Sequence, residues 1–178
     1  MSPYTSKGLS FSFPIETAGN AIQSLPEGTY LKGLIIPDSV KSIGDRAFQG
    51  CSSIEKIHLP ARLITIGEKA FSGCNRLKEL IIDGVESIGD YAFENCSSIE
   101  KIHLPARLIT IGEEAFSCCN RLKEIYMKDK TPPNQRVSWG KRLDVLHLPY
   151  TVTIYVPKES VEIYKQEYPG HKIEIIEE

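Results

Sequence analysis

Four of the five cysteines recur at near-constant steps: Cys51, Cys74, Cys96 and Cys119 are separated by 23, 22 and 23 residues. Thiolates ligate zinc, form disulfides and act as nucleophiles, so such a series could carry metal, redox or acyl-transfer chemistry. Zinc sites built from cysteine use close C-x-x-C pairs, and the chain has none. A fixed step reads instead as one inward position of a repeated unit. It predicts a ladder of buried thiols donating weakly to loop backbone. Stacked disulfides remain sterically open, because neighbouring units would lie within the usual Cα range. Cys118 stands where the other units have Gly50, Gly73 and Asn95, and is expected to be exposed. No cation adjoins it in sequence to activate it. Incidental linkage of two chains is a better expectation for it than catalysis.

His58 and His103 are the next candidates. They fall two units apart, roughly 10 Å at strand spacing. Two imidazoles on one zinc must each approach to about 2 Å, so no shared metal is expected. Asp45, Glu68, Asp90 and Glu113 each precede x-A-F. The acidic start of a short helical turn accounts for all four better than a cation site does. There is no G-x-S-x-G, Walker loop, H-E-x-x-H or dinucleotide fingerprint. No cofactor, metal or enzymatic activity is expected.

These residues are positioned by an internal repeat. Residues 51–79 and 96–124 match at 27 of 29 positions, differing only at Lys69/Glu114 and Gly73/Cys118. The blocks belong to a shorter repeat along the chain, whose units start at Leu34, Ile57, Leu80, Ile102 and Ile125. The shared pattern is L-x-x-I-x-L-P followed by L-x-x-I-G-[DE]-x-A-F-x-x-C. A period of 22–23 residues with this pattern fits a leucine-rich repeat. In the second unit Ile54, Ile57 and Leu59 alternate inward, while Lys56 and His58 point outward. Pro14, Pro37, Pro60 and Pro105 end their strands, and Asp83 departs from that rule. Leu63 and Ile66 form the next inward pair. Gly44, Gly67, Gly89 and Gly112 mark a turn with positive φ or a close backbone approach. Phe48, Phe71, Phe93 and Phe116 stack as an aromatic spine.

A degenerate coil built on Phe11, Leu25 and Leu31 is expected to cap the N-terminal end. Beyond Met127 the pattern changes to a polar loop over 128–142, which holds the only Trp, Trp139. LDVLHLP at 143–149 resembles one more strand. TVTIYVP follows as a strand, KESVEIYKQEY as an amphipathic helix with Val161 and Tyr164 inward, and KIEIIEE as an edge strand. The expected fold is an α/β solenoid of about 5–6 coils with a C-terminal strand-helix-strand cap. Its parts are 1–33 (N-terminal region), 34–127 (repeats) and 128–178 (loop and cap), one domain overall.

The motifs resemble the BspA-like leucine-rich repeats, also called the Treponema pallidum type. The I-G-x-x-A-F-x-x-C signature is matched in four coils, at Ala47-Phe48, Ala70-Phe71, Ala92-Phe93 and Ala115-Phe116. IYVPKESVEIYKQ, after a loop bearing Pro132-Pro133, is similar to that family's C-terminal cap. The resemblance implies a right-handed solenoid and a secreted or cell-surface role in adhesion and protein interaction. It brings no catalytic residues.

Composition sets the outer bounds. The 178 residues are 41% apolar and 25% charged, with a formal net charge of −2. That suffices for a core and argues against a broad electrostatic footprint for nucleic acid. No run of about 18 apolar residues is present, so no membrane span is expected. The opening MSPYTSKGLSFSFP carries no apolar stretch of a signal peptide.

The repeat places two outward columns on the concave strand face. One runs Ser10, Gly33, Lys56, Glu79, Lys101, Glu124, alternating in sign from Lys56 onward. The other runs Ser12, Ile35, His58, Ile81, His103, Tyr126. Exposed apolar groups in a row suit a protein partner, such as a host or extracellular-matrix protein. The same residues also suit an exposed sheet that binds nothing. A glycan would need a row of aromatics, for which only Tyr126 and Trp139 qualify. Trp139 serves either as an anchor for a partner or as a cover over the last coil. A monomer is expected, with a Cys118-linked dimer as the alternative.

Overall fold

The computed structural model describes residues 17–18, 21–22, 33–130 and 151–176. These form a β-solenoid of about five turns with two parallel sheets along its length. The N-terminal coil expected on Phe11, Leu25 and Leu31 lies outside the described residues, as do Ser10, Ser12, Pro14, Trp139 and the segment 143–149.

The first sheet is built from β3 (Gly33–Ile35), β5 (Lys56–His58), β7 (Glu79–Ile81), β9 (Lys101–Leu104) and β11 (Glu124–Met127). It continues through β12 (Thr153–Val156) and β13 (Lys172–Ile175). All its pairings are parallel and in repeat register, so Leu80 lies beside Ile102 and Ile102 beside Ile125. β5 and β7 are neighbours without a full ladder, joined by the Lys78 N–H to the Glu55 carbonyl at 3.4 Å. β11 pairs directly with β12, placing Ile125 beside Ile154. The strand beside β11 is therefore β12.

The second sheet uses two-residue strands: β4 (Ser42–Ile43), β6 (Thr65–Ile66), β8 (Ser87–Ile88) and β10 (Thr110–Ile111). A hairpin of β1 (Thr17–Ala18) and β2 (Ala21–Ile22) extends it at the N-terminal end. In β4, β6, β8 and β10 the isoleucine is buried and the hydroxyl residue half-exposed, which is why the pattern shows only a single inward residue there.

The segment G-[DE]-x-A-F between the sheets is not the helical turn that its acidic start suggested. Its third residue is left-handed in every coil, with φ of 59° at Arg46, 53° at Lys69, 56° at Tyr91 and 50° at Glu114. The peptides then alternate. Arg46, Phe48 and Gly50 donate N–H to the carbonyls of Glu68, Ala70 and Ser72 in the next coil. Ala47, Gln49 and Cys51 donate within their own coil. The same scheme links Lys69, Phe71 and Gly73 to Asp90, Ala92 and Glu94. This third ladder satisfies main-chain groups that burial would otherwise orphan. The acids join it differently from a helix cap. Asp45 Oδ1 accepts the Glu68 N–H at 2.8 Å, and Asp90 Oδ1 accepts the Glu113 N–H at 2.7 Å.

The glycines resolve as close approach. A Cβ on Gly89 would sit 2.6 Å from the Glu68 nitrogen and 2.6 Å from the Gly67 carbonyl carbon. Gly67 and Gly112 are crowded in the same way by the coil before them. The coil from Leu80 is one residue short, and Gly84 there lies against the Ala61 carbonyl. Side chains fill the space between the ladders. Phe48, Phe71, Phe93 and Phe116 stack nearly parallel, with centroids 5.0, 5.2 and 5.4 Å apart. Such pairs contribute about 0.5–1.5 kcal/mol each beyond burial.

After β12 a short 3-10 turn (Lys158–Ser160) leads into α1 (Val161–Glu167). Tyr164 is fully buried, and its hydroxyl donates to the Asp129 carbonyl at 3.2 Å. β13 then pairs with β12 and forms the edge of the sheet.

Two substitutions test this account through denaturant midpoints. Gly89→Ala forces two coils apart and is expected to cost about 1–3 kcal/mol. Cys118→Gly relieves a left-handed cysteine (φ 58°) at a position where Gly50 and Gly73 sit, and is expected to stabilise by about 0.5–1 kcal/mol.

Candidate functional site

The strand register sets the two outward columns and lengthens both. One runs Gly33, Lys56, Glu79, Lys101, Glu124, Thr153 and Lys172. The other runs Ile35, His58, Ile81, His103, Tyr126, Tyr155 and Glu174. Ile35 is 46% exposed and Ile81 45%. His103 stacks on Tyr126 with centroids 4.4 Å apart, and Tyr126 on Tyr155 at 4.6 Å, all within 8° of parallel. Tyr155 was missed from sequence because 151–156 follows a break in the period. The signal was there: T-I-Y-V repeats the alternation of E-I-Y-M.

The charged column is more selective than alternation alone suggests. Lys101 Nζ meets Glu124 Oε2 at 2.9 Å, and the Tyr126 hydroxyl donates to the same oxygen at 2.9 Å. The hydrogen bond from Lys101 is the main cause that holds the Glu124 carboxyl below the usual carboxylate range, and it raises Lys101 in turn. Burial first, and then the bond to Glu124, push the Tyr126 phenol up. Glu79 turns to His103, with Oε1 3.6 Å from Nε2. Lys56 and Glu79, adjacent in the column, form no ion pair among the described residues. Beside these columns, at the start of each strand, Glu55, Lys78, Glu100 and Lys123 alternate in the opposite phase. Lys123 and Glu100 pair there at 3.1 Å. At the other end of the strands Asp83, the residue that departs from the proline rule, pairs with Lys128 at 2.9 Å across Pro105.

The thiols lie apart from this face. Cys74, Cys96 and Cys119 are buried, and Cys51 is partly buried. Their Sγ atoms donate to the carbonyl of the preceding coil's phenylalanine: Cys74 to Phe48, Cys96 to Phe71 and Cys119 to Phe93, at 3.3–3.5 Å. All five cysteines are free thiols. Burial pushes Cys74 and Cys119 up to about 12 and raises Cys96 well above its ordinary value. Cys118 is exposed on its turn. Among the described residues no group of three or more His, Cys, Asp or Glu side chains could hold a metal ion. No described helix is long and apolar enough to cross a membrane. Ile64 and Ile109, on the far side of the coil, are also exposed.

Two measurements probe this chemistry. Brief alkylation of the native protein near pH 8, read by intact mass and peptide mapping, is expected to modify Cys118 first and to leave Cys74, Cys96 and Cys119 untouched. For Glu124 the folded value lies below the unfolded one, so its contribution to stability is present above the unfolded value and is lost as pH falls through the folded value. An NMR titration of its carboxyl carbon should give a low midpoint in the wild type, and one shifted upward in Lys101→Ala.

The sequence profile of the BspA type Leucine rich repeat region matches residues 26–134 in six copies. Solved structures with the same fold include a leucine rich cell surface protein from Faecalibacterium prausnitzii, 32% identical over 68% of this chain and 30% of that one, with a TM-score of 0.56. They also include the Treponema pallidum leucine-rich repeat protein, 26% identical over 71% of this chain and 59% of that one, with a TM-score of 0.55. The pneumococcal vaccine antigen PcpA matches 90% of this chain and 45% of its own at 19% identity and a TM-score of 0.64, a likeness of fold. The chain thus spans between 30% and 59% of the length of these relatives. No curated protein matches it. With its profile matched over more than half its length and its coils stacked in repeat register, the chain belongs to the BspA-type leucine-rich repeat family.

Proposed function

We propose that the chain is a non-catalytic protein-interaction module of a secreted or cell-surface, adhesin-like protein. Its partner, a protein such as a host or extracellular-matrix component, docks on the concave strand face. Ile35, Lys56, His58, Glu79, Ile81, Lys101, His103, Glu124 and Tyr126 meet it, and Trp139 serves as a further anchor from the 128–142 loop. The coils are read as right-handed, with residues 128–178 capping the repeats of 34–127.

One observation carries this reading. A column running through Ile35, Ile81, Tyr126 and Tyr155, with His58 and His103 between them, presents apolar and aromatic groups from β3 to β12, and charged rows border it along the strand starts. Apolar core with a polar rim is the anatomy of a protein interface. Repetition also sets equivalent residues in rows rather than converging them on one point, which is poor material for a catalytic pocket. The surface role draws on the family and on the relative described as a cell surface protein.

The glycan alternative loses ground on ring geometry. Sugars stack on open aromatic faces, but His103, Tyr126 and Tyr155 turn their faces to one another and present edges. Affinity capture from serum and matrix proteins tests the reading, with wild type beside an Ile35→Asp/Ile81→Asp/Tyr126→Ala variant of verified fold. A protein held by the wild type and lost by the variant, by at least tenfold in affinity, is expected. Equal capture by both would move the site off this face.

A further inference from the structure

We infer that the strand face is self-complementary and that a second copy of this chain docks on it, related by a two-fold axis. The inference rests on the reading of that face as a protein-docking surface and names an occupant.

A two-fold axis lying in the interface and parallel to the strands keeps each outward column over its own counterpart and reverses the order of strands. Placed between β7 and β9, it sets β7 against β9 of the second copy, β5 against β11 and β3 against β12. Glu79 then faces Lys101 of the second copy, and Lys56 faces Glu124. In the row at the strand starts Lys78 faces Glu100, and Glu55 faces Lys123. Every charged pair in these two rows is opposite in sign, and every pair occurs twice by symmetry. In the apolar column Ile81 meets His103, His58 meets Tyr126 and Ile35 meets Tyr155.

Other placements do worse. An axis on a strand sets Lys101 on Lys101 or Glu79 on Glu79, and like charges across an interface are costly. An axis along the columns that keeps charges opposite must lie between the two charged rows. It leaves the column of Ile35, Ile81 and Tyr126 uncovered. Only the axis between β7 and β9 pairs all eight charges while covering the apolar column. The geometry is the aligned packing of two sheets face to face.

Six strands at about 4.8 Å, each presenting three or four residues or roughly 12 Å, give a footprint on the order of 350 Å² per copy. Standard interfaces take ~800 Å² per partner, so this association is weak and concentration-dependent. It competes with any foreign ligand for the same surface.

The test uses the whole chain with Cys118→Ser, which excludes a disulfide, in sedimentation equilibrium from about 1 μM to about 1 mM. The wild-type surface is expected to dimerise, more weakly as salt rises. Glu79→Lys alone and Lys101→Glu alone each set like charges across the axis and should weaken self-association at least tenfold. Mixed in equal amounts, the two single variants become complementary and should form a heterodimer. Lys78→Glu and Glu100→Lys should behave in the same way, and thermal unfolding checks that each variant is folded. A monomeric wild type at the highest concentration, or single variants whose mixture gains nothing, would overturn the inference. Capture of a foreign protein lost on Ile81→Asp alongside a monomeric wild type would sink the dimer and keep the docking reading. A dimer obeying the charge pattern with no captured protein would do the reverse.

Discussion

Each coil of this molecule closes its hydrogen bonds on the coil beside it, and the remaining structure follows from that spacing. The peptide groups of the first sheet, the second sheet and the G-[DE]-x-A-F turn all reach across one strand spacing. Backbones that close leave no room for a Cβ at Gly67, Gly89 and Gly112. They also require the third turn residue to be left-handed, so that its N–H points to the neighbour rather than along a helix. Left-handed lysine, arginine and tyrosine each carry strain of about 1–2 kcal/mol. The inter-coil hydrogen bonds and the phenylalanine stack outweigh it. The Cys ladder belongs to the same scheme, since the Cys74, Cys96 and Cys119 thiols each donate to the carbonyl of the phenylalanine one coil back.

That spacing also determines what the surface can be. When a residue type repeats every 22–23 positions, its side chains line up in a row along the axis. Rows make stripes, not pockets. A stripe of charge is tolerable only if neighbours alternate, and a stripe of apolar groups is either an interface or a liability. The first sheet has both kinds side by side, and Glu124 ties them together by accepting from Lys101 in one row and Tyr126 in the other.

Much of this is legible from letters, because period and burial are one signal. Ile43, Phe48, Ile54 and Leu63 recur at fixed offsets and are buried where the repeat places them. The second sheet was not legible: a two-residue strand is too short for alternation, and Ser42-Ile43 reads as one inward residue in a loop. The turn misled for a physical reason. An acid before x-A-F has the chemistry of a helix start, and what decides otherwise is the positive φ of the residue after it, which no residue type in that position announces: arginine, lysine, tyrosine and glutamate all occupy it. Asp83 was visible as an exception, but its partner Lys128 is 45 residues away and two strands over.

The near-identical blocks bear on the charge pattern. The block recurs at an offset of 45 residues, two coils, and the two strand starts it contains differ in phase: one reads I-E-K and the next L-K-E. Copying a single coil would have laid lysine beside lysine along one row and glutamate beside glutamate along the other, at about 0.2–1 kcal/mol of repulsion per pair. Copying the two-coil unit instead keeps each lysine beside glutamates in its own row, and the strand-start row runs in antiphase to it. A row of alternating sign with its antiphase neighbour maps onto its opposite under a half-turn between adjacent strands. The property that keeps the sheet from repelling itself is therefore the same property that makes it fit a second copy. Neither requires a residue chosen for the other, since both follow from the length of the copied unit.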